Sequence, residues 1–267
     1  MKNKAIGVFD SGLGGLTAVK ELIKIIPGEN IVYFGDTGRV PYGTRSEETI
    51  KKYTKQDIAF LKSFDIKLIL VACGTVSSVA LPFINDKDVK IVGVVEPASM
   101  AAVKASHNKK IGIIGTSGTV KSGLYKKTIE KLLPGAEVFQ QACPLFVPLV
   151  ENGYFEHEAT KIIAKEYLKP LMDEGVDTII LGCTHYPLLK KVIGEIVGED
   201  VVLIDSGKAS AEYVKEILEK EGMLNTGDCG KYEFYSSDSV DFEKPAVMFL
   251  EREIGEVKQV DIEKVDA

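Results

Sequence analysis

The sequence predicts an α/β protein made of two similar, doubly wound lobes with parallel-rich sheets. Short apolar segments alternate with amphipathic helical segments along most of the chain. Pro and Gly residues stand at several boundaries between them, as turn signals do. Two pairs of similar strings also recur roughly 105–110 positions apart. This recurrence indicates an internal duplication, and we expect a pseudo-two-fold relation between the two lobes.

The apolar segments are short and continuous, as is typical of strands buried inside a parallel sheet. Each is followed by a turn or by a helical pattern, which is the order that a strand–helix–strand unit requires. We expect strands at Ala5–Phe9, Asn30–Phe34, Lys67–Ala72, Lys90–Val95, Ile111–Gly115, Glu137–Gln140, Thr178–Gly182 and Val201–Asp205.

Three helices have clear signals in the sequence. The first is expected from about Leu16 to Ile26, where a Pro-Gly pair ends it. The second starts at Ser46, which is followed by two glutamates in the first turn, where carboxylates suit the helix dipole. The third covers Ala209–Lys220 and begins the C-terminal tail.

The repeated strings suggest where the lobes divide. KAIGVFDSGLGGLTAVKELI near residue 4 resembles KKIGIIGTSGTVKSGLYKKTI near residue 109, and KLILVACGT at Lys67–Thr75 resembles DTIILGCTH at Asp177–His185. We expect a first lobe of residues 1–96, completed by a tail of residues 208–267, and a second lobe of residues 97–207. Because ligands bind outside the carboxyl ends of parallel strands, we expect the active site in the cleft between the lobes.

Composition excludes several classes of protein. The chain has 267 residues, 45% of them hydrophobic, and a formal net charge of −6. No apolar run approaches the ~20 residues of a membrane span, and no basic block offers a nucleic-acid surface. The apolar run before Asp10 is too short for a secretory signal, so we expect a cytoplasmic protein. No C-x-x-C pair is present, so we expect no structural zinc site and no bound metal.

The chain contains four cysteines, which are Cys73, Cys143, Cys183 and Cys229. In a reducing compartment we expect free thiols, and Cys143 and Cys229 are interpreted as small buried hydrophobes. Cys73 and Cys183 differ, because each follows an apolar strand at its carboxyl end. Facing lobes would bring both thiols to one cleft, and a nearby helix N-terminus is expected to lower a thiol pKa. A disulfide between them, or two unrelated core thiols, is the alternative at this point.

Two opposed acid/base groups suit the inversion of a carbon centre, since one group takes a proton from one face while the other delivers one to the opposite face. The glycine-rich strings do not favour nucleotide binding instead. Gly12, Gly14 and Gly15 do not fit G-x-G-x-x-G, and Val120 stands where a phosphate-binding loop requires glycine. We expect Thr116 and Thr119 to line the second lobe's side of the cleft.

Five strings stand in order along the chain. They are FDSGLGGL at Phe9–Leu16, YFGDTGRVPYG at Tyr33–Gly43, VACGT at Val71–Thr75, PLVENG at Pro148–Gly153 and LGCTHYPLL at Leu181–Leu189. Together they closely resemble the glutamate racemase family of the aspartate/glutamate racemase superfamily. The resemblance implies interconversion of L- and D-glutamate without pyridoxal phosphate, metal or any other cofactor. It further implies a role in supplying D-glutamate for bacterial peptidoglycan, and a possible homodimer.

The resemblance also implies roles for individual residues. Cys73 and Cys183 match the two proton donors and acceptors, with the Cys73 thiolate acting on D-glutamate and Cys183 on L-glutamate. Asp10, His185 and Glu151 match the catalytic residues that assist them. The resemblance places substrate contacts at Asp10, Ser11, Tyr42, Gly43, Gly74, Thr75, Thr184 and His185.

One position departs from the family pattern. The family usually has Cys-Asn-Thr where this chain has Cys73-Gly74-Thr75, so Gly74 offers only its backbone N–H and C=O. Two other functions stay open from the sequence. One is a related aspartate or other amino-acid racemase with the same two-thiol cleft, and the other is a non-catalytic small-anion binding protein. The strings around Asp10 and Tyr42 favour glutamate.

Overall fold

The computed structural model describes residues 1–238 and 242–266. Residues 239–241 and 267, which belong to the predicted tail of the first lobe, lie outside the described residues. The strands are β1 Ala5–Asp10, β2 Ile31–Gly35, β3 Ile66–Val71, β4 Lys90–Gly93, β5 Lys110–Gly115, β6 Glu137–Ala142, β7 Thr178–Leu181, β8 Val202–Asp205, β9 Tyr232–Ser236 and β10 Val257–Gln259. The helices are α1 Leu16–Ile25, α2 Glu47–Lys62, α3 Gly74–Val79, α4 Val95–Ala105, α5 Ser117–Ser122, α6 Leu124–Leu132, α7 Phe146–Glu151, α8 Glu158–Asp173, α9 Lys190–Val197, α10 Ser206–Lys220 and α11 Glu243–Leu250.

The strands form two sheets in which the paired strands are parallel, and this confirms the predicted α/β class. The first sheet has the order β10-β9-β2-β1-β3-β4 and the second β6-β5-β7-β8. The order β2-β1-β3-β4 of the first lobe therefore recurs as β6-β5-β7-β8 in the second, as the duplicated strings predict. In this order the winding reverses between the first and third strands of each lobe, and ligands bind at such switch points.

Most predicted elements are present, and their ends follow from local hydrogen bonds. Helix α2 begins after Ser46, whose Oγ accepts the N–H of Thr49 at 3.2 Å. Helix α10 starts earlier than predicted, because the carboxylate of Asp205 accepts the N–H of Lys208 at 3.0 Å and caps the helix there. The predicted strand Lys90–Val95 ends at Gly93, since α4 begins at Val95.

The C-terminal tail contributes to the first sheet. Strand β9 pairs with β2 and β10 pairs with β9, both in parallel. Helices α10 and α11 pack on α1. The lobe boundaries near residues 96 and 207 stay a prediction. Within the described part of the chain, none of the helices combines the length and the hydrophobicity needed to span a lipid bilayer.

A buried ion pair closes the end of the first sheet that lies opposite Cys73. Nζ of Lys67, near the start of β3, lies 2.5 Å from Oε2 of Glu29, and both side chains are fully buried. The ammonium also donates to the carbonyl oxygens of Lys2 at 2.8 Å and Met223 at 3.0 Å. These contacts join the N-terminus, the loop after α1, the start of β3 and the segment after α10.

Candidate active site

A cavity of about 270 Å³ lies at the carboxyl ends of the strands and is lined by residues of both lobes. Cys73 follows β3 and Cys183 follows β7, so each thiol comes from the third strand of its own lobe. Both are free cysteines and both line this cavity. The lining residues are Ser11, Gly12, Val40, Pro41, Tyr42, Gly43, Thr44, Cys73, Gly74, Thr75, Thr116, Ser117, Cys143, Pro144, Val147, Pro148, Glu151, Cys183, Thr184 and His185.

Cys73 has only neutral hydrogen-bond partners among the described residues. It precedes α3, and its Sγ accepts the N–H of Val76 at 3.5 Å and donates to Oγ of Ser11 at 3.4 Å. Burial, and secondly the negative charge of Asp10, raise the pKa of the Cys73 thiol to about 12. The prediction that a helix N-terminus lowers the thiol pKa is therefore wrong for Cys73, because desolvation outweighs the helix dipole.

Cys183 has a different partner. Its Sγ lies 3.9 Å from Nδ1 of His185, and Nε2 of the same imidazole lies 3.1 Å from Oε1 of Glu151. Burial lowers the pKa of His185, but the contacts with Cys183 and Glu151 outweigh it and raise the pKa to about 10. At neutral pH the imidazole is therefore a cation, and it stabilises negative charge on the adjacent sulfur.

Asp10 lies at the end of β1, just behind the cavity wall, and is 1% exposed. Its carboxylate accepts the N–H of Gly12 at 3.1 Å and the hydroxyl of Thr184 at 3.4 Å. Burial raises the pKa of Asp10, and the cationic His185 opposes that shift. The contact with Thr184 means that Asp10 of the first lobe bonds directly to the second lobe beside Cys183.

Hydroxyl groups from both lobes meet on the cavity wall. Oγ1 of Thr75 lies 2.9 Å from Oγ1 of Thr116, which in turn lies 3.1 Å from Oγ1 of Thr119. Thr116 lines the cavity, whereas Thr119 is buried behind the cavity wall. The hydrogen bond with Thr119 holds the hydroxyl of Thr116 in place. Such hydroxyls are suitable donors for the carboxylates of a small acid.

Tyr42 lines the cavity with part of its surface, but its hydroxyl points away from it. The hydroxyl donates to the buried carboxylates of Asp36 and Asp57. Arg39 bonds to the same two carboxylates at 2.6 and 3.0 Å. This network holds the loop that brings Gly43 against Thr116, and it engages the Tyr42 hydroxyl, so that hydroxyl is not directed at a ligand in the cavity.

Gly74 lies where the loops after β3 and β7 come into close contact. A Cβ atom built at this position falls well inside van der Waals contact with the carbonyl oxygen of Gly182. The contact is with backbone rather than with a flexible side chain, so a larger residue requires the loops after β3 and β7 to move apart.

The structure adds residues that the sequence interpretation missed. Val40, Pro41, Pro144 and Val147 form an apolar part of the cavity wall, and the prolines that flank the strings around Tyr42 and Cys143 were the available signal. Cys143 is buried, as predicted, but it also lines the cavity. The prediction that Cys229 is buried is wrong, because it is exposed in the segment between α10 and β9.

The described residues contain no group of three or more His, Cys, Asp or Glu side chains arranged to hold a metal ion. The polar groups of the cavity are instead thiols, hydroxyls, one imidazole and one carboxylate. This set can exchange protons with a bound molecule and can donate hydrogen bonds to an anion.

Comparison with known sequences gives consistent matches over nearly the whole chain. The profile of the Asp/Glu/hydantoin racemase family matches residues 11–214. A glutamate racemase of Geobacter metallireducens is 46% identical over 263 residues, which are 97% of each chain. A glutamate racemase of Neisseria meningitidis serogroup A is 44% identical over 265 residues, which are 98% of each chain.

Comparison with solved structures gives the same kind of match. The structure of a glutamate racemase from Bacillus anthracis superposes with a TM-score of 0.94 and is 39% identical, covering 98% of both chains. A glutamate racemase from Francisella tularensis, solved in complex with D-glutamate, has a TM-score of 0.91 at 37% identity and covers 98% of this chain and 99% of its own.

Proposed function

The chain belongs to the Asp/Glu/hydantoin racemase family, and we propose that it is a glutamate racemase in which Cys73 and Cys183 exchange protons with the α-carbon. The observation that carries this proposal is the position of the two thiols. They come from equivalent strands of two similar lobes and line one cavity. A substrate bound between them exposes each face of its α-carbon to one thiol, which is the arrangement that inversion by two acid/base groups requires.

In the direction from L- to D-glutamate, the thiolate of Cys183 removes the α-proton and the thiol of Cys73 protonates the opposite face. The S–H bond of Cys73 breaks as the new C–H bond forms, so Cys73 ends as the thiolate and Cys183 as the thiol. That state is ready for the reverse reaction. The raised pKa of Cys73 favours its protonated form in the resting protein, so we propose that the resting protein is prepared for L-glutamate.

His185 and Glu151 support the Cys183 side of this reaction. The imidazolium stabilises the thiolate before proton abstraction, and Glu151 stabilises the imidazolium from its other nitrogen. On the opposite side, buried Asp10 is near enough to Cys73 to raise the thiol pKa. The resemblance also implies a contact between its carboxylate and the substrate ammonium, but the carboxylate lies behind the cavity wall in this structure, so that contact stays a prediction.

The carboxylates of glutamate are assigned to the hydroxyls and backbone amides of the cavity wall. Ser11 and Thr75 offer hydroxyls from the first lobe, and Thr116 and Thr184 offer them from the second. Backbone N–H groups at Gly43 and Gly74 add donors without side chains. Contacts from both lobes fix the orientation of the substrate, with its α-carbon between the two thiols. Fixing the orientation of the reacting groups lowers the activation barrier.

The proposal extends to the biological role. D-Glutamate made by this reaction serves bacterial peptidoglycan synthesis, in line with the resemblance to glutamate racemases. A cytoplasmic location and a homodimer stay predictions, and both can be tested by cell fractionation and by sedimentation of the purified protein.

Circular dichroism of purified protein with L-glutamate, D-glutamate and both aspartate enantiomers tests the activity. We expect the optical signal of either glutamate enantiomer to decay to zero, with aspartate much slower. Cys73→Ser and Cys183→Ser should each lower kcat by about 10²–10⁴-fold while the fold is retained, and Cys229→Ser is the matched control. Near wild-type turnover in either active-site variant contradicts the two-thiol assignment. An unchanged optical signal with wild-type protein favours a small-anion binding protein, and faster turnover of aspartate favours an aspartate racemase.

A further inference from the structure

The C-terminal tail reaches the candidate active site through a single aromatic side chain. Phe249 lies on α11, near the C-terminal end of that helix, and is 1% exposed. Its ring centroid lies 5.1 Å from that of His185, with an interplanar angle of 77°. This is an edge-on packing of the kind that aromatic rings favour. Phe249 does not line the cavity, so it contacts the imidazole from behind.

The other sides of the imidazole are also occupied. Nδ1 faces Cys183 and Nε2 faces Glu151. Gly14 closes a further side, since a Cβ atom built there would lie 2.6 Å from Nδ1 of His185. The ring is thus held by polar partners at its two nitrogens and by packing against Gly14 and Phe249. Rotation about the Cβ–Cγ bond would exchange the nitrogens with ring carbons, and the packing contacts with Gly14 and Phe249 oppose that rotation.

Helix α11 is itself anchored to the first lobe. It packs on α1, and Oε1 of Glu251, immediately after the helix, lies 2.9 Å from Nζ of Lys20. Phe249 belongs to the same hydrophobic cluster as Leu16 and Leu22 of α1. The side chain that packs on His185 is therefore fixed by the first lobe and the tail, whereas His185 belongs to the loop after β7.

We infer that Phe249 is a positioning residue for His185, which it holds with one nitrogen toward Cys183 and the other toward Glu151. The inference rests on the proposed function, because it assigns Phe249 to the Cys183 side of the proton transfer. It gives the C-terminal tail a part in catalysis that the cavity lining alone does not show.

Two variants test this inference, Phe249→Leu and Phe249→Met, which remove the aromatic edge but keep an apolar side chain of similar volume. We expect kcat for glutamate to fall about tenfold, with KM changed less than twofold, because a misoriented imidazole impairs proton transfer more than binding. Leu250→Ala is the matched control, since Leu250 is a buried neighbour on the same helix. It should lower the melting temperature at least as much and leave kcat within about twofold.

A readout that does not depend on activity separates this inference from the proposed function. His185 can be followed by NMR of protein labelled at histidine, where the exposed His107 and His157 serve as internal references. We expect the pKa of His185 to fall in both Phe249 variants, because a misoriented imidazole loses its contacts with Cys183 and Glu151. In Leu250→Ala the pKa of His185 should be unchanged. An unchanged His185 titration in a folded Phe249 variant overturns the inference, even if wild-type protein racemises glutamate. Equal losses of kcat in Leu250→Ala also overturn it, because the effect is then one of general stability.

Discussion

Nε2 of His185 lies 3.1 Å from Oε1 of Glu151, although the two residues are 34 positions apart and come from different elements. Glu151 ends α7 at the rim of the cavity, whereas His185 is buried after β7. The contact connects a half-exposed carboxylate with the imidazole beside Cys183. The two thiols therefore differ in their surroundings. Cys183 lies beside an imidazolium, whereas the hydrogen bonds of Cys73 in the described structure include no cationic partner.

The ionisation of His185 tests this relationship. The pKa of His185 is about 10, because its hydrogen bonds to Cys183 and Glu151 outweigh the effect of burial. We therefore expect the imidazole to remain protonated through neutral pH and to lose its proton near pH 10. Glu151→Gln removes the carboxylate that raises the pKa, so the midpoint of the titration should move to lower pH. NMR titration of histidine-labelled protein measures both midpoints, and an imidazole already neutral at pH 7 in wild-type protein contradicts the assignment.

Gly74 supplies a prediction about how closely the lobes approach. In Gly74→Ala the new Cβ atom meets the carbonyl oxygen of Gly182, so the loops after β3 and β7 must separate. Because a misplacement of about 1 Å can cost 10²-fold in rate, we expect kcat/KM for glutamate to fall by about tenfold or more. Steady-state kinetics measures the loss. Gly194→Ala is the control, since a Cβ atom there would lie 3.9 Å from the side chain of Leu203, which is an ordinary contact distance. Full activity in Gly74→Ala would show that catalysis does not depend on the close approach of Gly74 to Gly182.

The buried ion pair of Lys67 and Glu29 gives a prediction about stability alone. Lys67→Met leaves the carboxylate of Glu29 buried without its partner, and breaking a buried pair in this way costs about 3–5 kcal/mol of unfolding free energy. Urea denaturation measures the loss, while kcat should stay near wild type because the pair lies at the far end of β3. Lys169→Met removes an exposed ion pair of α8 and should change stability little. If the two variants are equally stable, the buried pair contributes little.

The sequence was sufficient to predict strands β1 to β8, the duplication and the placement of Cys73 and Cys183 on one cavity. Short apolar runs and glycine-containing turns are local patterns, so they can be recognised from the sequence alone. The equivalence of Cys73 and Cys183 followed from the repeated strings, and their shared cavity from the rule for parallel sheets.

Other properties depend on packing between distant segments, and the sequence could not indicate them. The pKa of Cys73 is raised by burial, whereas the sequence shows only the nearby helix start. The contact of Phe249 with His185 joins the tail to the loop after β7, and no periodic pattern relates the two. Whether Gly74 touches Gly182 likewise depends on how the lobes meet.

The most direct test of the central claim is the isotope content of both glutamate enantiomers at low conversion in D₂O. L-Glutamate with protium at the α-carbon is incubated with wild-type protein until a few per cent has reacted. The two enantiomers are then separated, and the deuterium content of each is measured by mass spectrometry. Two separate thiols predict that the D-glutamate formed carries deuterium at the α-carbon, while the remaining L-glutamate keeps its protium. D-Glutamate that retains the original protium contradicts proton transfer between two thiols on opposite faces of the substrate.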